Sequence, residues 1–454
     1  MAFTLACLEA GSVFAAVCAL LLTRAQPSPI DSLGIPAVVA PALAVSVCCL
    51  VTFYHNDLYE LRALRDLRGV APRLLRSLGL AFVLLAAAYS LLPGGTLNAA
   101  LLASVFLLVV GLVVPLRAVS YGLVARRRAP QRVLILGAGP LARKIADEIE
   151  AAPDLPYRVV GFLEDGEARV TPGAAAAPGP PVRPLEDVDT LIRELCPDRL
   201  VVALSERRGR LPVWRLLSSW AGGLQVEDGI EFYEQLTRKL AIESLSPSSL
   251  IFHHVLQKSR WQLRWRRLVS VTGAALGLVL AAPLMAVVAA LVKLDSRGPV
   301  FFVQERVGLR GRIFRLIKFR TMQGPPPEGD SVWCRDDHPR LTRLGRWLRD
   351  LHIDEFPQFI NVLKGDMDLV GPRPEMACNV QTMTEHIPYY GLRNAVRPGV
   401  TGWAQIKQGY AVTLPEVMEK MRYDLYYVKH MSLWLDLRIL LVTARIVLCG
   451  RKVA

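Results

Sequence analysis

LVSVTGAALGLVLAAPLMAVVAALV, residues 268–292, is an apolar run with Pro283 slightly past its middle. Crossing a bilayer takes roughly 20 such residues, so length alone permits a straight span. A straight span would put everything after it on the opposite side of the membrane from everything before it. The flanks argue against that. Arg260, Arg264, Arg266 and Arg267 precede the run and Lys293 and Arg297 follow it, and clustered cations mark the cytoplasmic side of a membrane segment. Both ends then belong on one side. A proline inside a helix removes a backbone hydrogen bond and bends the axis. The run therefore predicts a re-entrant helix hairpin, kinked at Pro283, that enters the inner leaflet and returns.

Upstream, apolar runs at about residues 4–23, 34–54, 76–93 and 98–116 predict a four-helix transmembrane bundle over 1–120. Glu9 leaves the start of the first helix uncertain, and the absence of a basic leader and cleavage site makes this helix a retained one. Arg62, Arg65, Arg68 and Arg73 in one loop and Arg117, Arg126, Arg127 and Arg128 after the fourth run place both segments, and all that follows residue 120, in the cytoplasm. A chain of 454 residues with 52% hydrophobic residues is too apolar for an ordinary soluble protein. Its 54 Lys and Arg against 40 Asp and Glu suit anionic lipid or a phosphorylated substrate, and beside membrane segments lipid is preferred to nucleic acid. The eight cysteines form no CxxC pair and no Cys/His ligand spacing, which implies a reducing compartment and no zinc site.

From residue 129 to 250 the pattern becomes α/β. The strand Arg132–Leu136, the turn Gly137-Ala138-Gly139 and a helix from Arg143 to Ala151 open a Rossmann-like domain, with further strands at Tyr157–Leu163 and Arg199–Leu204, a helix at Leu185–Leu195 and an Ala/Gly/Pro loop at 171–181. Gly137 and Gly139 form either a nucleotide-binding turn or the remnant of one in a scaffold.

After the hairpin, Val300–Gln304 and Ile313–Arg320 read as paired strands. Lys318 and Arg320, two apart, share a strand face and could grip a diphosphate together, unless this is a solvated edge. Leu341, Leu344, Leu348 and Leu351 give a helix stripe that leaves Arg343, Arg346 and Arg349 on other faces, a basic amphipathic helix suited to the membrane surface, with Arg349 near Asp354. Met431–Cys449 reads as an interfacial or packed terminal helix. Asp354 and Glu355, followed by Gly371-Pro372-Arg373-Pro374-Glu375, can divide one task, a nucleophile beside a ligand for a divalent cation, with an arginine for phosphate oxygens. The same pair can merely open a helix.

Several segments, in order, carry a family resemblance: 293–296 (KLDS), 298–302 (GPVFF), 304–308 (QERVG), 318–322 (KFRTM), 354–358 (DEFPQ), 365–367 (GDM), 371–375 (GPRPE) and 398–405 (PGVTGWAQ). Residues 261–454 resemble the bacterial sugar transferases, polyprenyl-phosphate hexose-1-phosphate transferases with a monotopic, largely α-helical (α+β) catalytic domain. The first 250 residues look like those of the longer, exopolysaccharide-associated members, with four membrane helices and a Rossmann-like, CoA-binding-type domain. The resemblance implies that Asp354 attacks the β-phosphate of a UDP-sugar, that UMP leaves, and that polyprenyl phosphate takes the phosphosugar. It makes Glu355 the Mg²⁺ ligand and Lys318, Arg320, Arg349 and Arg373 the phosphate-neutralising cations. It also implies a place in the bacterial inner membrane and a homodimer. Asp368 departs from the family's serine, as an adjustment of the metal site or, more simply, a solvated loop residue.

Two alternatives stand beside this reading. One is a non-catalytic membrane regulator that senses a nucleotide at Gly137–Gly139. The other is a membrane-tethered nucleotide-sugar dehydratase, disfavoured because none of the twelve tyrosines has a lysine four residues later.

Overall fold

The computed structural model describes residues 2–24, 34–56, 58–59, 67–91, 99–126, 130–153, 155–164, 182–184, 188–204, 211–242, 258–324, 340–409 and 413–449. The loop at 171–181 and the arginines at 62, 65, 127 and 128 lie outside them. The chain divides into two compact units, residues 1–131 with 152–156, and 132–151 with 157–454.

The first unit holds four helices, α1 (Ala2–Arg24), α2 (Gly34–His55), α3 (Leu67–Leu91) and α4 (Ala99–Arg126). Val13, Val17, Val45, Phe53, Leu78 and Val113 fill its interior. A polar cluster sits in that interior. Arg117, 1% exposed, pairs with Glu9 (Nε to Oε1 2.7 Å) and donates to the Leu58 carbonyl at 3.1 Å, while the Tyr59 hydroxyl donates to Glu9 Oε2 at 2.7 Å. Glu9 therefore fits inside an apolar helix because its charge is matched there. Among the described residues, three helices of the whole chain are long and apolar enough to cross a membrane: α1 over Leu5–Thr23, α4 over Ala103–Ser120, and the later helix Arg260–Asp295. The apolar part of α2, Val38–Tyr54, is shorter, and α3 carries Arg68, Arg73 and Arg76 in its first half.

The second unit opens with a parallel, Rossmann-like sheet. Its strands β1 (Gln131–Leu136), β2 (Tyr157–Glu164), β3 (Val182–Pro184), β4 (Arg199–Val202) and β5 (Gln225–Asp228) lie in the order β3-β2-β1-β4-β5. Helices α5 (Pro140–Ala151) and α8 (Gly229–Thr237) pack over Val133, Ile135 and Val201. Helices α6 (Val188–Leu195) and α7 (Val213–Ala221) cover the other face over Leu134, Leu136 and Leu200. The run of β-branched and leucine residues in β1 is buried on both faces, as a central parallel strand must be. This domain docks on the catalytic part. Glu234 of α8, 3% exposed, takes Lys429 Nζ on both oxygens at 2.8 Å, and the Arg238 carbonyl accepts from Trp403 Nε1 at 3.1 Å.

The expected hairpin at 268–292 is corrected in one respect: it is one continuous helix, α9 (Arg260–Asp295), with Pro283 inside it. A proline costs a hydrogen bond and bends the axis without having to end the helix. One stripe of α9, Arg266, Ser270, Ala274, Ala281, Val288 and Val292, is buried. The stripe touches the catalytic part near both ends, at Arg266 on Asp436 and at Val288 and Val292 beside Phe319 and Leu348. Leu268, Leu276, Val279, Leu280, Val287 and Leu291 remain exposed. Two of the flanking cations used in the charge argument are tied up in ion pairs. Arg266 is buried, with Nε on Asp436 at 2.6 Å, and Arg267 reaches Asp368 at 3.0 Å.

The remaining elements are the antiparallel pair β6 (Phe301–Val307) and β7 (Ile313–Phe319), α10 (Arg343–Asp350), α11 (Gln358–Lys364), the parallel pair β8 (Asp368–Val370) and β9 (Gly399–Thr401), α12 (Ala377–His386), α13 (Trp403–Lys407), α14 (Leu414–His430) and α15 (Leu433–Cys449). Helix α15 is both packed and partly open: Ile439 is fully buried while Trp434, Leu437 and Leu441 are exposed.

Candidate active site

Helix α10 starts at Thr342, whose hydroxyl accepts from Gly345 N at 2.8 Å, a standard N-cap. It ends where His352 takes a left-handed conformation (φ 56°). That is uncommon outside glycine and turns the chain sharply, directly into a 3-10 turn of Ile353, Asp354 and Glu355. Neither acidic residue lies on a solvated helix end: Asp354 is 7% exposed and Glu355 9%.

Strand β7 is fastened beside this turn by Asn361 of α11, which is fully buried. Its amide accepts from Ile317 N at 3.0 Å and donates to the Arg315 carbonyl at 2.7 Å. The next strand residue, Lys318, thereby reaches Glu355 Oε1 at 3.1 Å. Arg373 reaches the same oxygen at 2.7 Å. Arg349 donates to the Thr321 hydroxyl at 3.1 Å and lies close enough to lower the Asp354 pKa.

The two carboxyls are driven apart. Burial and the neighbouring Glu355 charge push Asp354 up to about 6, against the pull of Lys318, Arg373 and Arg349. Burial also opposes ionisation of Glu355, but Arg373 and Lys318 outweigh it and hold this carboxyl well below the usual range. Burial pushes the Lys318 ammonium down. At neutral pH the arrangement is an ionised, doubly held Glu355 beside an Asp354 that releases its proton late.

The loop carrying Arg373 is held by its carbonyls. Arg393 donates to the Arg373 carbonyl at 2.8 Å, Arg306 to that of Pro374 at 3.2 Å, and Val307 N to that of Glu375 at 2.9 Å. Arg393, 3% exposed, pairs with Asp424 at 2.8 Å. Glu375 pairs with Lys420 at 2.7 Å. Although burial opposes it, the charges of Lys420 and Arg393 hold Glu375 down to about 2. The base of the loop needs glycine: a Cβ on Gly371 would overlap the Arg397 carbonyl, and one on Gly399 would overlap Gly371 N.

Arg320 stands apart from this cluster. Its guanidinium donates to the carbonyls of Ser296 (2.7 Å) and Arg297 (3.2 Å) and to the Ser296 hydroxyl (2.8 Å), so it closes the end of α9. Gly298 is glycine partly because this guanidinium fills the space of a side chain. Asp368 is corrected as well: it is 4% exposed and paired with Arg267, not solvated. Gly137, with φ +113°, lies against the Ala203 carbonyl, which a Cβ would meet at 2.8 Å. Strand packing by itself demands this glycine, and the Gly139 carbonyl accepts from Arg143 N within the first turn of α5. Sequence reasoning gave no role to Arg306, Arg393 or Asp424. Arg306 alternates with Gln304 along β6, a signal that names a strand face and no partner.

No group of three His, Cys, Asp or Glu side chains that could hold a metal occurs among the described residues. Mg²⁺ commonly takes one or two carboxylates and completes its shell with substrate phosphates and water, so the acidic pair fits such an ion as part of a shared shell.

Residues 261–450 match the family model described as bacterial sugar transferase, and residues 55–210 match that described as CoA-binding domain. The chain is 45% identical over 185 residues to a UDP-N-acetylgalactosamine-undecaprenyl-phosphate N-acetylgalactosaminephosphotransferase of Aeromonas hydrophila, covering 41% of this chain and 44% of the relative. It is 34% identical over 337 residues to an undecaprenyl-phosphate glucose phosphotransferase of Komagataeibacter xylinus, covering 70% of this chain and 59% of that one. The matches thus span about half the length of these two relatives. A third relative, the uncharacterized sugar transferase EpsL of Bacillus subtilis, is 41% identical over 193 residues, 41% of this chain and 89% of its own length. The acidic turn, the cations that close on it and the apolar run 268–292 all fall inside residues 261–450, which the family model matches, and the chain belongs to the bacterial sugar transferase family.

Proposed function

We propose that the protein transfers a sugar 1-phosphate from a UDP-sugar to polyprenyl phosphate, releasing UMP and starting an exopolysaccharide or O-antigen unit. The observation that carries this is the division of the acidic pair. Lys318 and Arg373 both close on Glu355, while Asp354, next to it, is buried without their hydrogen bonds and ionises late.

In the first step an Asp354 carboxylate oxygen bonds to the β-phosphorus as the bond to the UMP oxygen breaks, and that oxygen keeps the electron pair. In the second, an oxygen of the lipid phosphate bonds to the same phosphorus and the carboxylate is released. Lys318, Arg349 and Arg373 offset the negative charge that an anionic nucleophile meets at an anionic phosphorus. Glu355 is the residue that would hold Mg²⁺, which when bound would supply Lewis-acid neutralisation of the same charge. Arg320 supports the site by fixing the end of α9.

The same reading puts four spans in the inner membrane, the Rossmann-like and catalytic domains on the cytoplasmic side, and α9 in the inner leaflet with its exposed leucine and valine face toward lipid. Contacts of α9 with the catalytic part near both of its ends, Arg266 on Asp436 and Val288 and Val292 beside Phe319 and Leu348, support this, because a straight span would carry one of those ends across the bilayer. The names of the relatives include both N-acetylgalactosamine and glucose donors, so the sugar is read by assay.

Purified protein with polyprenyl phosphate, Mg²⁺ and a panel of UDP-sugars should release UMP with at least one donor. Release from none would refute the reading. Labelling of a cysteine at position 295 from outside intact cells would refute the topology.

A further inference from the structure

Helix α14 carries two stripes offset by one residue, about 100° of rotation apart. The first, Glu419, Tyr423, Tyr426 and His430, meets the Rossmann-like domain and the segment that leaves it. Glu419 pairs with Lys239 Nζ at 2.5 Å, and the same ammonium lies 5.4 Å from the centre of the Tyr423 ring. Arg238 donates to the Tyr426 hydroxyl at 3.1 Å, and His430 Nε2 stands 3.1 Å from Glu234 Oε2. Beside this stripe the Arg422 carbonyl accepts from Leu240 N at 3.0 Å.

The second stripe, Lys420, Asp424 and Tyr427, holds the loop that carries Arg373. Lys420 pairs with Glu375 at the end of the loop. Asp424 pairs with Arg393, which donates to the Arg373 carbonyl in its middle. The Tyr427 hydroxyl stands 3.1 Å from the carbonyl oxygen of Val370, just before its start. The loop is thus attached to α14 at three points, and a shift of the helix shifts Arg373. Two further contacts strengthen the connection. Leu240 and Ile242 share a buried cluster with Tyr390, Met421 and Leu425, and the Tyr390 hydroxyl accepts from Arg393 at 2.7 Å. Lys239 also reaches Glu148 of α5 at 3.5 Å, so one cation ties the helix that follows the glycine turn to α14.

We propose that the Rossmann-like domain sets the position of Arg373 through α14, with Lys239 as the positioning residue that joins them, so that docking of the domain tightens binding of the donor diphosphate. The proposal rests on the transferase reading above. Coupling between two sites is reciprocal. What docking does for the donor, the donor does for docking.

The test uses the full chain in detergent or nanodiscs. Lys239→Met should raise the UDP-sugar KM about fivefold or more, the lower end of ordinary coupling between sites, with a smaller change in kcat, and Lys239→Arg should restore most of the loss. In an Arg393→Met background, where the loop is already loosened, the same substitution should raise the KM by a smaller factor. Equal factors in the two backgrounds mean that the residues act independently, and transmission is wrong.

Hydrogen exchange reads the connection without turnover. Lys239→Met should speed exchange in a peptide covering 370–376, and UMP added to wild-type protein should slow exchange at 238–242. If exchange rises at 238–242 while the loop and the donor KM stay at wild-type values, the domain docks without positioning Arg373 and the proposal fails. Slowing by UMP that persists in Arg373→Gln comes from nucleotide on the Rossmann-like domain itself and also overturns it. Should Lys239→Met not fold, Glu234→Gln, at the His430 end of the stripe, and the wild-type UMP comparison decide. Absence of UMP release by wild-type protein with every donor removes the transferase reading, and loop exchange in Lys239→Met still decides the mechanical connection.

Discussion

Asp354 and Glu355 are neighbours in one 3-10 turn whose carboxyls titrate in opposite directions, the first raised and the second lowered. The difference comes from who holds them, since Lys318 and Arg373 share one oxygen of Glu355.

The transfer rate should therefore depend on pH through Asp354. The nucleophile must be ionised, so activity falls as pH drops through about 6 rather than near 3.8. A pH profile of UMP release without acceptor measures this directly. A half-point at or below 4 would exclude Asp354 as the titrating nucleophile.

Asp354→Asn should abolish UMP release, by at least about 10³-fold, with no loss of stability. The sign follows from linkage. A carboxyl whose folded pKa is raised binds its proton more tightly in the folded state, so its ionisation costs stability as pH rises from 3.8 through about 6. Removing the charge relieves that cost at pH 7, and the thermal midpoint should equal or exceed that of wild type.

Glu355→Gln should behave oppositely and lose both activity and stability. It strands Lys318 and Arg373 without their carboxylate, and breaking a buried pair costs about 3–5 kcal/mol. Denaturant unfolding separates this from Asp354→Asn.

Arg393→Met should weaken the enzyme without touching the acidic pair. It breaks the ion pair with Asp424 and the bond to the Arg373 carbonyl, so a loss of about 3–5 kcal/mol accompanies a raised donor KM. Combining it with Asp424→Leu should restore part of the stability and none of the donor affinity.

Gly371→Ala should destabilise by more than about 2 kcal/mol, because its Cβ lands on backbone that cannot move aside. Gly391→Ala, with nothing within 4 Å, should stay within about 0.5 kcal/mol. Thermal midpoints of the two variants check the contrast.

The helices, the α/β pattern and the acidic pair were legible because periodicity and local composition encode them. Alternation placed Lys318 and Arg320 on one face of a strand, which ends at Phe319, one residue before Arg320. It did not say that Arg320 turns to Ser296, 24 residues back, because a partner is set by packing of distant elements. Asp368 read as solvated because its partner, Arg267, lies 101 residues away on α9. Pro283 read as the kink of a hairpin because sequence marks where a helix bends without fixing whether its two arms stay one helix. Arg393 was silent because a buried arginine looks like any surface one until its carboxylate is known.

Helix α9 buries one stripe against the catalytic part and turns an apolar face outward. With the proposed seating in a leaflet, the enzyme would meet the proposed lipid acceptor by lateral diffusion in two dimensions. Its rate should then follow the mole fraction of polyprenyl phosphate in the bilayer and stay constant when acceptor and carrier lipid are diluted together.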